Sequence, residues 1–157
     1  MNARFAHIAV CVDHSDASGA AVEEAWRLRN DETETFTFVH VVPTPMVVAG
    51  HGAMWLPDPS QVTAGAQEWL DELVARYPGS VGVLLSGYPA VEACEWAEEN
   101  GVDLLVASSS RGLFDRVLLG SFAGYLARHA PCSVLLTRPG AAHASDREAS
   151  TAAAKAG

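Results

Sequence analysis

The sequence predicts a single α/β domain whose parallel sheet is covered by helices on both faces. Two observations carry that expectation. Five short apolar runs recur along the chain, and amphipathic segments with helical spacing separate them. The runs are apolar at successive positions rather than alternating, as strands buried on both faces are. At 157 residues the chain fits one domain with a full core.

The first run is Ile8–Val12, ending at Asp13-His14-Ser15-Asp16. Ser15 or Asp16 can cap the next segment, where Ala17, Ala20, Ala21, Ala25 and Leu28 repeat at helical spacing and Glu23 and Arg27 stand four apart. Thr35–Val42 is β-branched and aromatic, a second strand stopped by Pro43 and Pro45. Residues 43–60 form a long connection with four prolines and two glycines. Long connections in compact domains are usually functional or mobile, so this one reads as a lid, a dimer contact or a plain surface excursion.

Val62, Ala66, Trp69, Leu70, Leu73 and Tyr77 give an amphipathic helix ended by Pro78-Gly79. Val81–Leu85 is the third strand. Pro89 suits a first helical turn, Val91, Ala93, Cys94, Trp96 and Ala97 form that helix's buried side, and Gly101 stands where a C′ residue belongs. Val102–Ala107 is the fourth strand. Ser121–His129 is the last helix, with Phe122, Tyr125, Leu126 and His129 on one face, and Cys132–Thr137 is the fifth strand. The domain is expected over 1–138. Residues 139–157, rich in Ala, Ser and Thr, read as a disordered tail.

Charge narrows the function. The net charge is −9 and the one lysine is Lys155, which argues against nucleic-acid or anionic-membrane partners. Cys11, Cys94 and Cys132 have no pairing spacing. They read as buried free thiols, two in strands and one in a helix, in a reducing compartment. Residues 1–12 lack the apolar run of a signal peptide and no stretch approaches membrane-spanning length, so a cytoplasmic protein is expected.

The most informative stretch is Ser108–Gly112 with its continuation to Gly120-Ser121-Phe122. It passes from a strand through a polar loop into a helix start. Ser121 is expected as the N-cap, and free N–H groups and the positive end of the helix dipole suit a phosphate. The same pattern fits an ordinary strand-to-helix connection. Asp13 suits a ribose, a nucleobase amine or a metal, or serves only as a turn residue. No dinucleotide G-x-G-x-x-G or phosphate-loop G-x-x-x-x-G-K motif is present. Strand three ends in Ser86-Gly87 without the acceptor Asp of a receiver domain. The six histidines lack metal-ligand spacing, and no base adjoins the Ser108–Ser110 hydroxyls, so binding is better supported than turnover.

Four features together resemble the universal stress protein family over residues 5–138. They are Val12-Asp13-x-Ser15 with Ser18; His40-Val41-Val42-Pro43; Gly101-x-Asp103-Leu104-Leu105-Val106; and Arg111-Gly112 with Leu118-Leu119-Gly120-Ser121 and the block Leu126–Leu135. The resemblance implies a sheet of order 3-2-1-4-5, an adenine nucleotide alpha hydrolase-like fold and a homodimer, often joined through the last strand. One branch of the family binds ATP through Gly-x-x-Gly-x9-Gly-Ser/Thr; another lacks the motif and does not. By resemblance, the adenosine end would lie near Cys11, Val12, Asp13 and Val41, and the phosphates near Ser109, Gly112, Gly120, Ser121 and Phe122. Here Ser109 replaces the first glycine, and seven residues instead of nine separate Gly112 from Gly120. The resemblance thus implies a regulatory module of the stress response that takes an adenine nucleotide, ATP or AMP, with the shortened loop favouring AMP-like or weak binding over tight ATP capture and with metal only through the phosphates. Its counterpart is a dimeric interaction module that binds no nucleotide.

Overall fold

The computed structural model describes residues 5–30, 33–44, 58–109 and 120–138. Five strands, β1 (His7–Cys11), β2 (Thr35–Pro43), β3 (Ser80–Gly87), β4 (Leu104–Ser108) and β5 (Ser133–Thr137), alternate with four helices. The helices are α1 (Asp16–Arg27), α2 (Pro59–Arg76), α3 (Pro89–Glu99) and α4 (Ser121–His129). The strands form one sheet in the order β3-β2-β1-β4-β5, and each pairing is parallel. The connection 45–57, the loop 110–119 and the tail 139–157 lie outside the described residues.

Because side chains alternate across a strand, each strand feeds two cores. Ile8, Val10, Phe36, Phe38, Leu104 and Val106 pack with Ala21, Val22 and Ala25 of α1 and Leu70 and Leu73 of α2. Ala9, Val39, Val41, Leu105 and Ala107 pack with Ala93, Cys94 and Ala97 of α3 and Leu126 of α4. Gly82 shows how tightly α2 lies on β3: a Cβ there would stand 2.9 Å from Leu70 Cγ. Gly101, with φ +61°, follows the α3 C-cap and leads the chain into β4.

Several local expectations need correction. The buried stripe of α1 is Ser18, Ala21, Val22 and Ala25; Ala20 and Leu28 face outward, because Ser15 caps the helix and sets its phase. Arg27 pairs with Glu24 at 3.7 Å rather than with Glu23, whose carboxylate accepts the Tyr77 hydroxyl at 2.7 Å. Val62 is exposed and Trp69 half-buried, so α2 buries a narrower face than its periodicity implied. His129 is likewise exposed and stacks on Tyr125 at 4.3 Å. Cys132 precedes β5 instead of lying within it. Gly120, not Ser121, is the N-cap of α4, and among the described residues no side chain caps that helix.

Candidate functional site

In this strand order the winding reverses between β1 and β4, and a crevice opens at the carboxyl ends there. A cavity of about 230 Å3 occupies it. Of the nine residues expected at the site, seven line it: Cys11, Val12, Asp13, Val41, Ser109, Gly120 and Phe122. Ser121 is exposed at the first position of α4 and is not among the lining residues. Gly112 lies outside the described residues.

The Asp13 wall is held by local hydrogen bonds. The Asp13 amide donates to Ser18 Oγ at 3.0 Å, and Ser18 is buried. Asp13 Oδ1 accepts from the Ser15 amide at 2.9 Å and from the Ser15 hydroxyl. Ser15 Oγ in turn accepts the Ser18 amide at 3.2 Å as the helix cap. Both side-chain bonds of Asp13 fall on one oxygen, so Oδ2 takes no hydrogen bond among the described residues. A carboxylate fixed this way has an acceptor to offer a ligand.

The opposite wall is β4 and the start of α4. The Ser109 amide and hydroxyl both donate to the Thr137 carbonyl, each at 2.8 Å. That proton is therefore spent on β5, and Ser109 brings only acceptor lone pairs to the cavity, which a phosphate would not welcome. Ser109 needs no left-handed backbone, since no non-glycine described residue has a positive φ. Donors come instead from α4. The Gly124 amide bonds the Gly120 carbonyl at 2.8 Å, so Ser121, Phe122 and Ala123 supply the helix's opening amides, which have no partner within it. These amides and the dipole make an anion-favouring end.

Sequence reasoning set His40 aside, yet it lines the cavity. His40 Nδ1 lies 2.8 Å from the Val12 carbonyl. A carbonyl only accepts, so Nδ1 carries the proton and Nε2 is bare in the neutral ring. The ring packs edge-on to Trp69 at 5.1 Å and to His14 at 5.7 Å. Its side-chain parity with Phe36 and Phe38 was the available signal. Pro43, Pro89 and Ala123 also line the cavity without any chemical signature in the sequence.

Cys11 offers no nucleophile: burial of its thiol, reinforced by Cys94 and Cys132 nearby, pushes its pKa up to about 12. Among the described residues no group of three or more His, Cys, Asp or Glu is placed to hold a metal ion. No described helix is long and apolar enough to cross a membrane.

Fold and cavity together define a doubly wound α/β protein with a ligand crevice at its switch point. The chain belongs to the universal stress protein family, whose family model matches residues 4–138. It is similar to a universal stress protein of Methanothermobacter thermautotrophicus, 39% identical over 56 residues, a match spanning 36% of this chain and only 38% of that relative. Among solved structures it resembles the universal stress protein UspA from Lactobacillus plantarum, with 26% identity and a TM-score of 0.65 over 87% of this chain and 99% of that one. A universal stress protein solved in complex with cAMP shares the fold at 24% identity and TM-score 0.65, covering 86% and 98% of the two chains. So does one from Archaeoglobus fulgidus solved with dAMP, at 18% identity and TM-score 0.59, covering 85% and 98%.

Proposed function

We propose that this chain is a regulatory, adenine-nucleotide-binding module of the stress response that works as a cytoplasmic homodimer. One observation carries the nucleotide reading. Asp13, whose Oδ2 takes no hydrogen bond among the described residues, lines one cavity together with Phe122 and Ala123 of the first turn of α4. A nucleotide offers the complementary pair, hydroxyl or amine donors at one end and a phosphate at the other. The solved relatives with cAMP and dAMP support the same ligand class.

The cavity's volume, about 230 Å3, is below the roughly 300–1,000 Å3 typical of sites that enclose a drug-sized ligand. This favours a nucleoside monophosphate such as AMP over tight capture of ATP, whose outer phosphates would have to reach toward residues 110–119. Ser121 and Gly112 remain candidate phosphate contacts. The edge strand β5, with Val134, Leu135 and Leu136 half-buried, supports dimerisation through that edge, since open edges invite pairing.

Calorimetric titration of AMP, ADP and ATP tests the reading. Binding is expected with AMP at least as tight as ATP. Asp13→Asn keeps an oxygen for Ser15 but removes the charge, and should weaken AMP about tenfold, or ~1.4 kcal/mol. Absence of both heat and thermal shift at millimolar nucleotide overturns the proposal.

A further inference from the structure

A second cavity, about 330 Å3 in volume, lies between α1 and α2 on the other side of the Asp13–Ser18 turn. We infer that this groove is a separate small-molecule site for an aryl-alkyl ammonium, its ring laid against Trp69 and its ammonium on Glu23. The claim does not depend on the nucleotide reading. The two cavities share only Asp13, Ser15 and Ser18.

The groove follows from helical spacing. Gly19 and Glu23 stand four apart on α1, and Trp69 and Leu73 stand four apart on α2 with its C-cap Tyr77 beyond them, so two stripes line one groove. Gly19 keeps the space open. It lies inside α1 with no positive φ, and a Cβ built there meets no heavy atom within 4 Å. A glycine in a helix interior costs roughly 1 kcal/mol relative to alanine. Among the described residues nothing packs against that position, so the groove is open beside Gly19.

The lining specifies the ligand. Val22 and Leu73 make an apolar floor. The Trp69 indole, with His14 tilted against it at 4.1 Å, makes an aromatic wall. Tyr77 donates to Glu23 Oε1 at 2.7 Å, which orients the carboxylate and leaves Oε2 without a hydrogen bond among the described residues. Asp13 adds a second carboxylate, and Arg76 is the one lysine-or-arginine cation among the lining residues. The groove is therefore net negative with an aromatic wall. An anion meets two carboxylates there, whereas an ammonium gains a charge-assisted bond and an aromatic face.

Tryptamine and its neutral counterpart indole-3-ethanol, titrated calorimetrically into the full chain, test the site. Tryptamine is expected to bind, and the alcohol about tenfold more weakly. Glu23→Gln keeps the Tyr77 bond and should erase the preference for the amine. Gly19→Leu fills the groove and should abolish binding while the Tm stays level or rises, which separates loss of the site from loss of the fold. Saturating AMP should leave tryptamine bound. Failure of tryptamine to bind, equal binding by Gly19→Leu and the parent chain, or displacement by AMP each overturns the inference.

Discussion

On one face of the sheet aromatic rings contact one another through the core, and on the other small residues alternate with branched aliphatics. Trp26, Phe36, Phe38 and Tyr77 form a chain of edge-to-face contacts with centroids 5.0–5.4 Å apart beneath α1 and α2. Beneath α3 and α4, Ala9, Ala93, Ala97, Ala107 and Cys94 pack with Val39, Val41, Leu105 and Leu126, and Phe122 and Tyr125 lie partly buried against them. The ring face buries large apolar areas and adds geometry-specific aromatic pairing. The small-residue face puts short side chains at the strand ends, and there the candidate nucleotide cavity forms against Cys11, Ala107 and Ala123. The ring face carries the aromatic packing, and the other face opens the candidate nucleotide cavity at the strand ends.

The largest test of that division is Phe38→Ala. Phe38 is fully buried within the ring chain, so its truncation should cost about 3–5 kcal/mol, measured by denaturant unfolding. AMP affinity of the molecules that remain folded should be unchanged. A cost under ~1 kcal/mol would show that the rings are not the main support of that face.

Next is Ala123→Leu on the opposite face. Ala123 is buried and lines the cavity, so the larger side chain must overpack at a cost of about 1–3 kcal/mol. It should also weaken AMP by at least ~tenfold, or ~1.4 kcal/mol, by occupying the ligand's space. Unchanged affinity with full destabilisation would separate the cavity from nucleotide binding.

The same division explains what the sequence made legible. The five strands and four helices follow from runs and periodicities that depend on nearby residues, and they were readable. The strand order was not, because right-handed crossovers leave several orders open; it came from the resemblance carried by Asp13, His40-Val41 and Gly120-Ser121. The placing of Cys11, Val12, Asp13 and Val41 beside Ser109, Gly120 and Phe122 then follows from that order. Side-chain commitments were not legible. Nothing in Ser108-Ser109-Ser110 says that the Ser109 hydroxyl is spent on Thr137, 28 residues away. Nothing local says that His40 gives its Nδ1 proton to Val12 or that Glu23 answers Tyr77 rather than Arg27. These depend on which strand or helix lies alongside.

A third effect belongs to the thiol-bearing face alone. Cys11 has an ordinary pKa of 9.0 when unfolded and about 12 in the fold, and burial also pushes Cys94 and Cys132 upward. Raised folded-state values mean that the fold binds these protons more tightly than the unfolded chain does. The stability is therefore full below pH 9 and falls as pH climbs from about 9 toward 12. For Cys11 alone the loss should approach ~1 kcal/mol per pH unit within that window. Tyr77 on the ring face starts from 10.0 and rises to about 12, so its share begins only above pH 10. Cys11→Ala should accordingly flatten the stability profile between pH 9 and 10. An unaltered slope there would mean that the Cys11 thiol is open to solvent.

The smallest effect is a near absence of one, at Ser121. A serine opening a helix is expected to cap it, and losing a capping serine costs about 0.5–2 kcal/mol. In the fold the capping position is one residue earlier, at Gly120, whose φ of −53° and ψ of 157° hold the non-helical turn, and among the described residues no side-chain oxygen caps α4. Ser121 is exposed and already helical, so Ser121→Ala should change stability by less than ~0.5 kcal/mol. Ser15 supplies the contrast: it caps α1 through a 3.2 Å bond from the Ser18 amide, so Ser15→Ala should cost about 1 kcal/mol. Among the described residues, α1 has a side-chain cap and α4 has none. If Ser121→Ala instead costs as much as Ser15→Ala, its hydroxyl caps the helix, and the opening amides of α4 are not held open for a phosphate.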